Sequence, residues 1–307
     1  MSTTNKPQLE ADAARALHQL SHGKSLMRFG AFFLLYGIGA VGAVMLAARF
    51  SWFVSIPCWI LAGASLHGIS LFTHEAVHGT LSRNKWINGV LGALCAWPVW
   101  QNYSAYRVLH LEHHADLGGE HDPDHYSNYT RWTWGVFTLN WMRLLIGYPV
   151  YITAIPILGW KHGSWKARAG IAVEIACCAS LAWLAWRILP ANWLLHAWLG
   201  PMLFINTMVN IRGMSQHTLL EHSDDEILGT RSILTGPIVR FFMCNENYHL
   251  EHHLYPGIPW YRLSSAHQLL EPELRRRGAP FIHSYTSFVL QFIRHSFMRG
   301  PWSRRTP

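Results

Sequence analysis

The five-residue word HLEHH occurs twice in this chain, at residues 110–114 and 249–253. On a helix, residues i, i+3 and i+4 share one face, so each word can direct three imidazoles the same way. The stretch THEAVHG adds an i, i+4 pair, His74 and His78. Neutral imidazole is a common ligand of iron, zinc, copper and nickel. These three histidine boxes predict a metal centre with the ligands His74, His78, His110, His113, His114, His249, His252 and His253.

Eight imidazoles exceed the needs of one ion but suit two ions with about four protein ligands each. His217, which follows the last apolar segment, is predicted to be a ninth ligand. His222 is a weaker candidate, and His67 is predicted to be a hydrogen-bonded core residue. No catalytic residue is predicted apart from the metal ligands. Metal-bound imidazoles usually donate their other N–H to a carboxylate or carbonyl. The residues predicted to support the ligands in this way are Asp116, Asp122, Asp124, Glu246 and Asn247.

Two other classes of protein could use part of this pattern. The stretch HEAVH matches the zinc metalloprotease word HExxH, with Glu75 as the general base of an intramembrane protease. That function would leave both HLEHH words without a role. A zinc transporter would place its ligands within the membrane spans, near the midplane, whereas these histidines cluster outside the apolar segments.

Apolar segments of membrane-spanning length separate the boxes. Residues 29–48 and 51–73 form one closely spaced pair, and residues 171–186 and 191–211 form another. Each segment is about as long as a helix needs to be to cross the hydrocarbon core of a bilayer. The short connections within each pair predict two helical hairpins.

Two further apolar segments, 86–106 and 132–160, contain polar or charged residues. The first is predicted to be re-entrant or interfacial, and the second interfacial or kinked. The expected fold is therefore an all-α integral membrane protein. Four transmembrane helices form two hairpins, and a cytoplasmic helical cap carries the histidine boxes.

The composition agrees with a membrane protein that has a large aqueous side. Half of the residues are hydrophobic and only 14% are charged, against about 25% in soluble domains. The net charge of +8 favours anionic partners, such as lipid headgroups, an acidic redox protein or a carboxylate. The basic residues flank apolar segments and form no continuous stripe, so nucleic acid is not an expected partner. The five cysteines lie in apolar stretches without a CxxC pair and are predicted to be core residues.

The distribution of Lys and Arg predicts the orientation in the membrane. Arg49 and Arg187 lie at the tips of the two hairpins. The opposite side collects the basic residues Lys24, Arg28, Arg83, Lys85, Lys161, Lys166, Arg168 and Arg212. By the positive-inside rule that side is cytoplasmic, with both termini and all three boxes. The chain divides into a polar tail with a possible interfacial helix (1–28), a membrane domain (29–265) and a basic cytoplasmic tail (266–307).

The motifs HEAVHGT, HLEHH followed by DPD, and NYHLEHHLYPGIPWY resemble the membrane fatty acid desaturase and hydroxylase superfamily. The resemblance covers roughly residues 30–265. It implies a centre of two iron ions (Fe2+/Fe3+) on the cytoplasmic face that uses O2 to oxidise an unactivated C–H bond of an acyl chain. It also implies that the eight box histidines are the ligands, and it favours His217 as a further one. No HPGG-type haem-binding signature is present, so electrons are expected from a separate ferredoxin, cytochrome or reductase.

The resemblance leaves the reaction outcome open. Desaturation is the first expectation, because it is the most frequent activity of such enzymes. Oxidative decarboxylation of a free fatty acid to a terminal alkene and hydroxylation are the alternatives. The substrate is expected to be a fatty acyl chain, as a free acid, a thioester or a lipid. A bacterial inner membrane is the expected location.

Overall fold

The computed structural model describes residues 6–125, 130, 132–220 and 225–299. The described part of the chain is mainly helical, and its one sheet is a pair of two-residue strands, β1 and β2. The helices are α1 (Ala11–Leu17), α2 (His22–Arg49), α3 (Ile56–Val77), α4 (Lys85–Ala96), α5 (Tyr103–Ala115), α6 (Thr133–His162), α7 (Trp165–Ile188), α8 (Ala191–Trp193), α9 (Gly200–His217), α10 (Pro237–Phe242), α11 (His249–Leu254), α12 (Leu263–Arg276) and α13 (Tyr285–Arg299). The strands are β1 (Ser232–Ile233) and β2 (Phe281–Ile282). The expectation of an all-α fold is thus correct except for this short parallel pair.

Five helical segments among the described residues are long and apolar enough to cross a membrane. They are His22–Arg49, Trp52–Val77, Thr133–His162, Trp165–Ile188 and Ala191–His217. Four of them correspond to the two expected hairpins. Only 11% of the most apolar part of α7 is buried within the protein, so its side chains need an apolar solvent such as lipid. The protein is therefore a membrane protein with one more candidate span than the sequence predicted.

The additional candidate span is α6, which the sequence predicts to be interfacial or kinked. A kink is present, since Ile146 has non-helical angles (φ −135°, ψ 23°) within the helix. Pro149 follows shortly after, and proline removes a backbone donor and displaces the preceding turn. Arg143 precedes this break, and this charge near the middle of an aromatic-rich segment is the reason that the sequence predicts an interfacial or kinked segment.

The chain forms two compact units. The first unit comprises the described residues within 1–19, 110–147 and 210–307, and the second comprises Leu20–Leu109 and Tyr148–Val209. The first unit contains both HLEHH words and His217. The second contains the HEAVH word. The domain boundaries expected from the sequence remain a prediction.

The second unit is centred on close packing between α2 and α3. A Cβ on Gly39 of α2 would lie 2.8 Å from backbone atoms of Cys58 and Ala62, so only glycine permits this approach. Gly68 of α3 faces the ring of Phe32, which is fully buried. Small residues at such crossings let apolar helices pack backbone to backbone where burial of hydrocarbon alone gives no preference.

Apolar clusters hold the helices of the first unit together, and two of them involve α9 and α11. Met214 of α9 packs with Phe288 and Phe292 of α13. Leu250 and Leu254 of α11 pack with Leu270 and Leu274 of α12. The strands β1 and β2 join these regions by parallel pairing of Ser232 with Phe281 and of Ile233 with Ile282. The third histidine box thus lies on a short helix that is enclosed by longer elements.

Candidate metal centre

Helix α5, which carries the second histidine box, has a well-capped beginning. The Oδ1 atom of Asn102 accepts a hydrogen bond from Ala105 N at 2.9 Å. The carboxylate of Glu174 accepts bonds from Ser104 N at 3.1 Å and from Ser104 Oγ at 2.5 Å. These bonds satisfy amide groups that a helix N-terminus leaves without an intrahelical partner. A glutamate within the apolar helix α7 therefore supports the helix of the second box.

The three histidines of α5 lie on one face, as their spacing predicts. The Nε2 atoms of His110 and His114 are 3.1 Å apart. His113 is buried, and its Nδ1 atom lies 2.9 Å from Oδ1 of Asp122 in the loop that follows. The Asp122 carboxylate also accepts from the backbone N–H groups of Gly118 and Asp124 at 2.7 and 2.9 Å. This loop orients His113 so that its Nε2 points away from Asp122.

The third box occupies α11, a helix of six residues that are all buried. Such a short helix is not stable alone, and polar contacts hold it. Glu251 Oε1 is 2.5 Å from Nδ1 of His267 in α12, and Glu251 Oε2 accepts from Ser232 Oγ at 2.5 Å. The same hydroxyl accepts from Leu250 N at 3.1 Å. Glu251 therefore connects the back of the ligand helix to α12 and β1.

The ligand nitrogens of the first unit converge in two groups. In one group, His114 Nε2 lies 3.1 Å from that of His110 and 3.2 Å from that of His252. In the other, His249 Nε2 lies 3.1 Å from that of His217 and 3.0 Å from that of His253. His113 joins this second group, because ligand atoms of His113, His217 and His253 all lie within 4.8 Å of one another.

These separations match the requirements of a metal ion. Two nitrogens bound at about 2.1 Å stand about 3.0 Å apart at a right angle and about 3.4 Å apart at the tetrahedral angle. All four measured Nε2–Nε2 distances fall in this range. The two groups have three and four histidines in the first unit alone. The residues present therefore fit two ions bound by imidazole.

Burial keeps His253, a member of the second group, in its ligand form. It lowers the pKa of His253 well below its usual value, and the neighbouring histidines add to this effect. His253 is therefore a neutral imidazole that can bind a metal. Burial also disfavours charge on His113, but the hydrogen bond to Asp122 and the nearby acidic charges outweigh it and raise the pKa of His113.

Two further ligands have polar groups near Nδ1, and one of them, His217, is oriented by a hydrogen bond. His217 Nδ1 is 3.0 Å from the carbonyl oxygen of Gly229. His249 Nδ1 is 3.5 Å from Oε1 of Glu246, whose other oxygen accepts from Arg212 Nη1 at 2.6 Å. Burial raises the pKa of Glu246 to about 7, although the Arg212 guanidinium opposes this shift. Such outer contacts usually select the tautomer that leaves Nε2 available for the metal.

The other three predicted supporting residues have different contacts. Asp116 Oδ2 accepts from His121 N at 2.8 Å, and the Asp124 backbone donates to Asp122. Asn247 bonds with Ile233 through both its side chain and its backbone, at 2.9 and 2.8 Å. These contacts stabilise the loops next to the ligands. His222 lies outside the described residues.

The first box belongs to the second unit, at the end of α3. The rings of His74 and His78 have their centroids 5.0 Å apart. Glu75, the candidate general base of a protease, is buried, and its Oε2 accepts from Thr80 Oγ1 at 2.6 Å. Glu75 thus closes the turn that follows the box. The carbonyl oxygen of Ala76 accepts from Asn88 Nδ2 at 2.6 Å, which anchors the same turn to α4.

Sequence reasoning missed the roles of Ser232, Glu251 and His267. The sequence signal that could have identified Glu251 is its apolar surroundings, since Tyr248, Leu250 and Leu254 are close to it in the chain. A glutamate among such residues is expected to be buried and bonded. Its partners come from other segments of the chain and carry no motif that would identify them.

A model of the fatty acid desaturase family matches residues 50–285. The chain belongs to this family. It is therefore an oxidoreductase. The resemblance to membrane fatty acid desaturases that the histidine motifs indicate is confirmed.

Known desaturases are similar to the chain over most of its length. It is 25% identical over 274 residues to the sn-1 acyl-lipid omega-3 desaturase (ferredoxin) of Synechocystis sp., covering 80% of this chain and 75% of the relative. It is 26% identical over 272 residues to the sn-1 oleoyl-lipid 12-desaturase of Picosynechococcus sp., with 76% and 74% covered. It is 28% identical over 283 residues to the dihydrorhizobitoxine desaturase of Bradyrhizobium elkanii, with 82% and 78% covered.

Proposed function

We propose that the enzyme holds two iron ions and uses O2 to desaturate an acyl chain. The observation that carries this proposal is the convergence of two separate groups of histidine nitrogens at spacings that suit coordination. Zinc undergoes no redox change, whereas a desaturase must pass electrons to O2. Iron accepts imidazole ligands and supplies this redox chemistry.

The proposed ligands are the eight box histidines and His217. His110, His114 and His252 hold one ion. His113, His217, His249 and His253 hold the other. His74 and His78 are proposed as further metal ligands, as the resemblance to the family implies. This assignment rests on the order of the three boxes in the sequence and on the family.

The protein residues prepare the site for the reaction. Asp122 and the carbonyl oxygen of Gly229 hold the Nδ1 atoms of His113 and His217, so their Nε2 atoms stay directed inward. His249, His252 and His253 are buried, which limits the access of water to the site. In the overall balance, two hydrogen atoms leave adjacent carbons of the acyl chain. These two hydrogens, two electrons from the donor and two protons from solvent reduce one O2 to two water molecules.

The electron donor is proposed to be a separate protein. The name of the Synechocystis relative includes ferredoxin, and an acidic redox protein would complement the net charge of +8. The boxes and both termini are proposed to face the cytoplasm of a bacterium, since Lys and Arg are concentrated on that side of the predicted spans.

The substrate is proposed to be a fatty acyl chain. Two of the relatives are named for acyl lipids and a third for dihydrorhizobitoxine, so the family itself accepts more than one kind of molecule. The test is product analysis by gas chromatography and mass spectrometry with iron-loaded protein, O2 and a reducing system. Free acids, thioesters and lipids are offered in parallel. An internal double bond supports desaturation. An alcohol as the product would instead indicate hydroxylation. A terminal alkene formed together with carbon dioxide would indicate oxidative decarboxylation.

A further inference from the structure

The helix α13 packs against two of the candidate membrane spans. Phe288 and Phe292 of α13 are buried together with Met214 of α9, and half-buried side chains of α6 join this cluster. The rings of Phe292 and of Trp141 in α6 have their centroids 5.2 Å apart. Both α6 and α9 belong to segments that are long and apolar enough to cross a membrane. Helix α13 therefore lies near the beginning of one candidate span and near the end of another.

The part of α6 that α13 contacts has the features of a span that is entering a bilayer. Trp134, Phe137 and Trp141 follow one another along the first turns of α6, with ring centroids 5.8 and 6.5 Å apart. Aromatic residues, above all Trp and Tyr, are enriched where spans leave the hydrocarbon core. Leu145, one turn further along α6, is 63% exposed, as expected of a side chain in contact with lipid. These features indicate that the boundary of the bilayer passes beside α13.

The surface of α13 is divided into three faces. One packs on the protein, one is apolar and mainly exposed, and one is polar and exposed. Residues that are three, four or seven positions apart share a face of a helix. The three sets are Phe288 and Phe292, then Leu290, Ile293 and Phe297, and finally Gln291, Arg294 and His295. Leu290 and Phe297 are 63% and 83% exposed. Two open faces of opposite character need two different solvents.

The neighbouring helix α12 has a different exposed surface, although it belongs to the same unit. Its exposed positions include Gln268, Arg275 and Arg276, which are suited to water. Leu269 is exposed as well, but no apolar stripe continues from it along the helix. The exposed apolar stripe thus distinguishes α13 from α12 and calls for an apolar surrounding on that side.

The charges of α13 favour an anionic surface beside the stripe. The helix contains no Asp or Glu, and Arg294 is exposed on its polar face. The residues that follow the helix in the sequence include Arg304 and Arg305. Helices that combine an apolar stripe with basic residues bind at the boundary between acyl chains and headgroups, and acidic headgroups attract their cations.

We propose that α13 is an interfacial helix that lies in the leaflet on the side where α9 ends at His217. Its apolar stripe of Leu290, Ile293 and Phe297 contacts the acyl chains, and its polar face contacts headgroups and water. The match to the desaturase family ends at residue 285, where α13 begins, so this membrane contact lies beyond the part of the chain that the family model covers. The proposal concerns the attachment of the chain to the bilayer and does not depend on the reaction.

The test determines the solvent around α13 at single positions. A fluorescent amino acid replaces Leu290, Gln291 or Phe297 in the full chain, which is reconstituted in vesicles of phosphatidylcholine and phosphatidylglycerol. A doxyl-labelled lipid quenches the probe from the bilayer, and acrylamide quenches it from water. The probe at Leu145 of α6 is the lipid reference, and the probe at Gln268 of α12 is the water reference. An unchanged unfolding temperature shows that each variant is folded.

The probes at Leu290 and Phe297 should resemble the one at Leu145, with strong quenching by the doxyl lipid and protection from acrylamide. The probe at Gln291 should resemble the one at Gln268. Acrylamide quenching at Leu290 and Phe297 as strong as at Gln268 would overturn the proposal. Protection from both quenchers would also overturn it, because a protein such as a second copy of the chain would then cover the stripe.

A pair of matched substitutions gives a second test. Leu290→Glu and Gln291→Glu add the same charge at neighbouring exposed positions of α13. A carboxylate among acyl chains is costly, so only Leu290→Glu should reduce the doxyl quenching of a probe at Phe297 and lower the unfolding temperature in vesicles. Equal effects of the two substitutions on both quantities would contradict a lipid-facing stripe.

Discussion

Oε1 of Glu251, in the middle of the second HLEHH word, lies 2.5 Å from Nδ1 of His267 in a different helix. The equivalent residue of the first word, Glu112, is only half-buried. Identical words thus place their glutamates in different environments. The reason is that α11 is enclosed by α12 and β1, whereas α5 is a longer helix with caps of its own.

We expect Glu251→Gln to destabilise the third box. The amide cannot replace both the His267 and the Ser232 contacts, and loss of a hydrogen bond to a buried charged group costs about 2 kcal/mol or more. Thermal unfolding should occur at a lower temperature, and bound iron should fall. The matched control is Glu112→Gln in the first word, which should change neither quantity. Equal effects of the two substitutions would contradict a special role of Glu251.

His217→Ala is expected to remove at least one iron and abolish product formation. Its Nε2 lies 3.1 Å from that of His249, in the group proposed to bind the second ion. Iron analysis of the purified variant and a turnover assay are the measurements. His121→Ala, at an exposed position in the loop after α5, serves as the control. Full iron occupancy in His217→Ala would limit the site to the eight box histidines.

Asp122→Asn should weaken iron binding or activity by about 10- to 100-fold, as expected for a residue that orients a metal ligand. The substitution replaces the charged acceptor of His113 Nδ1 by a neutral amide oxygen, which is a weaker acceptor, and it lowers the pKa of that imidazole. Asp116→Asn is the control in the same loop, because Asp116 accepts from a backbone N–H and contacts no ligand in the described contacts. Iron titration of both variants tests the difference.

Glu75→Gln distinguishes the desaturase from an HExxH protease. A protease would lose its general base and nearly all activity. Here the Glu75 carboxylate accepts from Thr80, so we expect a modest loss of stability of about 1 kcal/mol, with iron retained. Thr80→Val breaks the same hydrogen bond without changing the carboxylate and should have a similar effect. One zinc per chain and no iron would revive the protease.

The proposed orientation is tested by labelling the hairpin tips. Arg49→Cys and Arg187→Cys should react with a membrane-impermeant thiol reagent added outside intact cells, because both positions are exposed and lie opposite the basic side. The parent chain is treated in the same way, and its labelling gives the background from the chain's own cysteines. Reaction of either tip only after the membrane is opened would reverse the topology.

The local spacing of residues determined much of this protein. The i, i+3 and i+4 positions of the box histidines predict that each helix directs its imidazoles to one side, because the helical period depends only on neighbouring residues. The lengths of the apolar segments predict two hairpins for the same reason. The four apolar segments of those hairpins are helical in the structure.

Only the tertiary structure decided which groups meet. His217 and His249 come from α9 and α11, and their approach depends on how those helices pack. The same holds for Glu251 with His267, and for Arg143, which lines a cavity with His113 and His217. The tertiary structure also decided the course of α6. The sequence alone cannot show that polar residues of this helix line a cavity, or that the helix continues beyond its kink. Long-range contacts depend on the packing of segments far apart in the chain, and no local period encodes them.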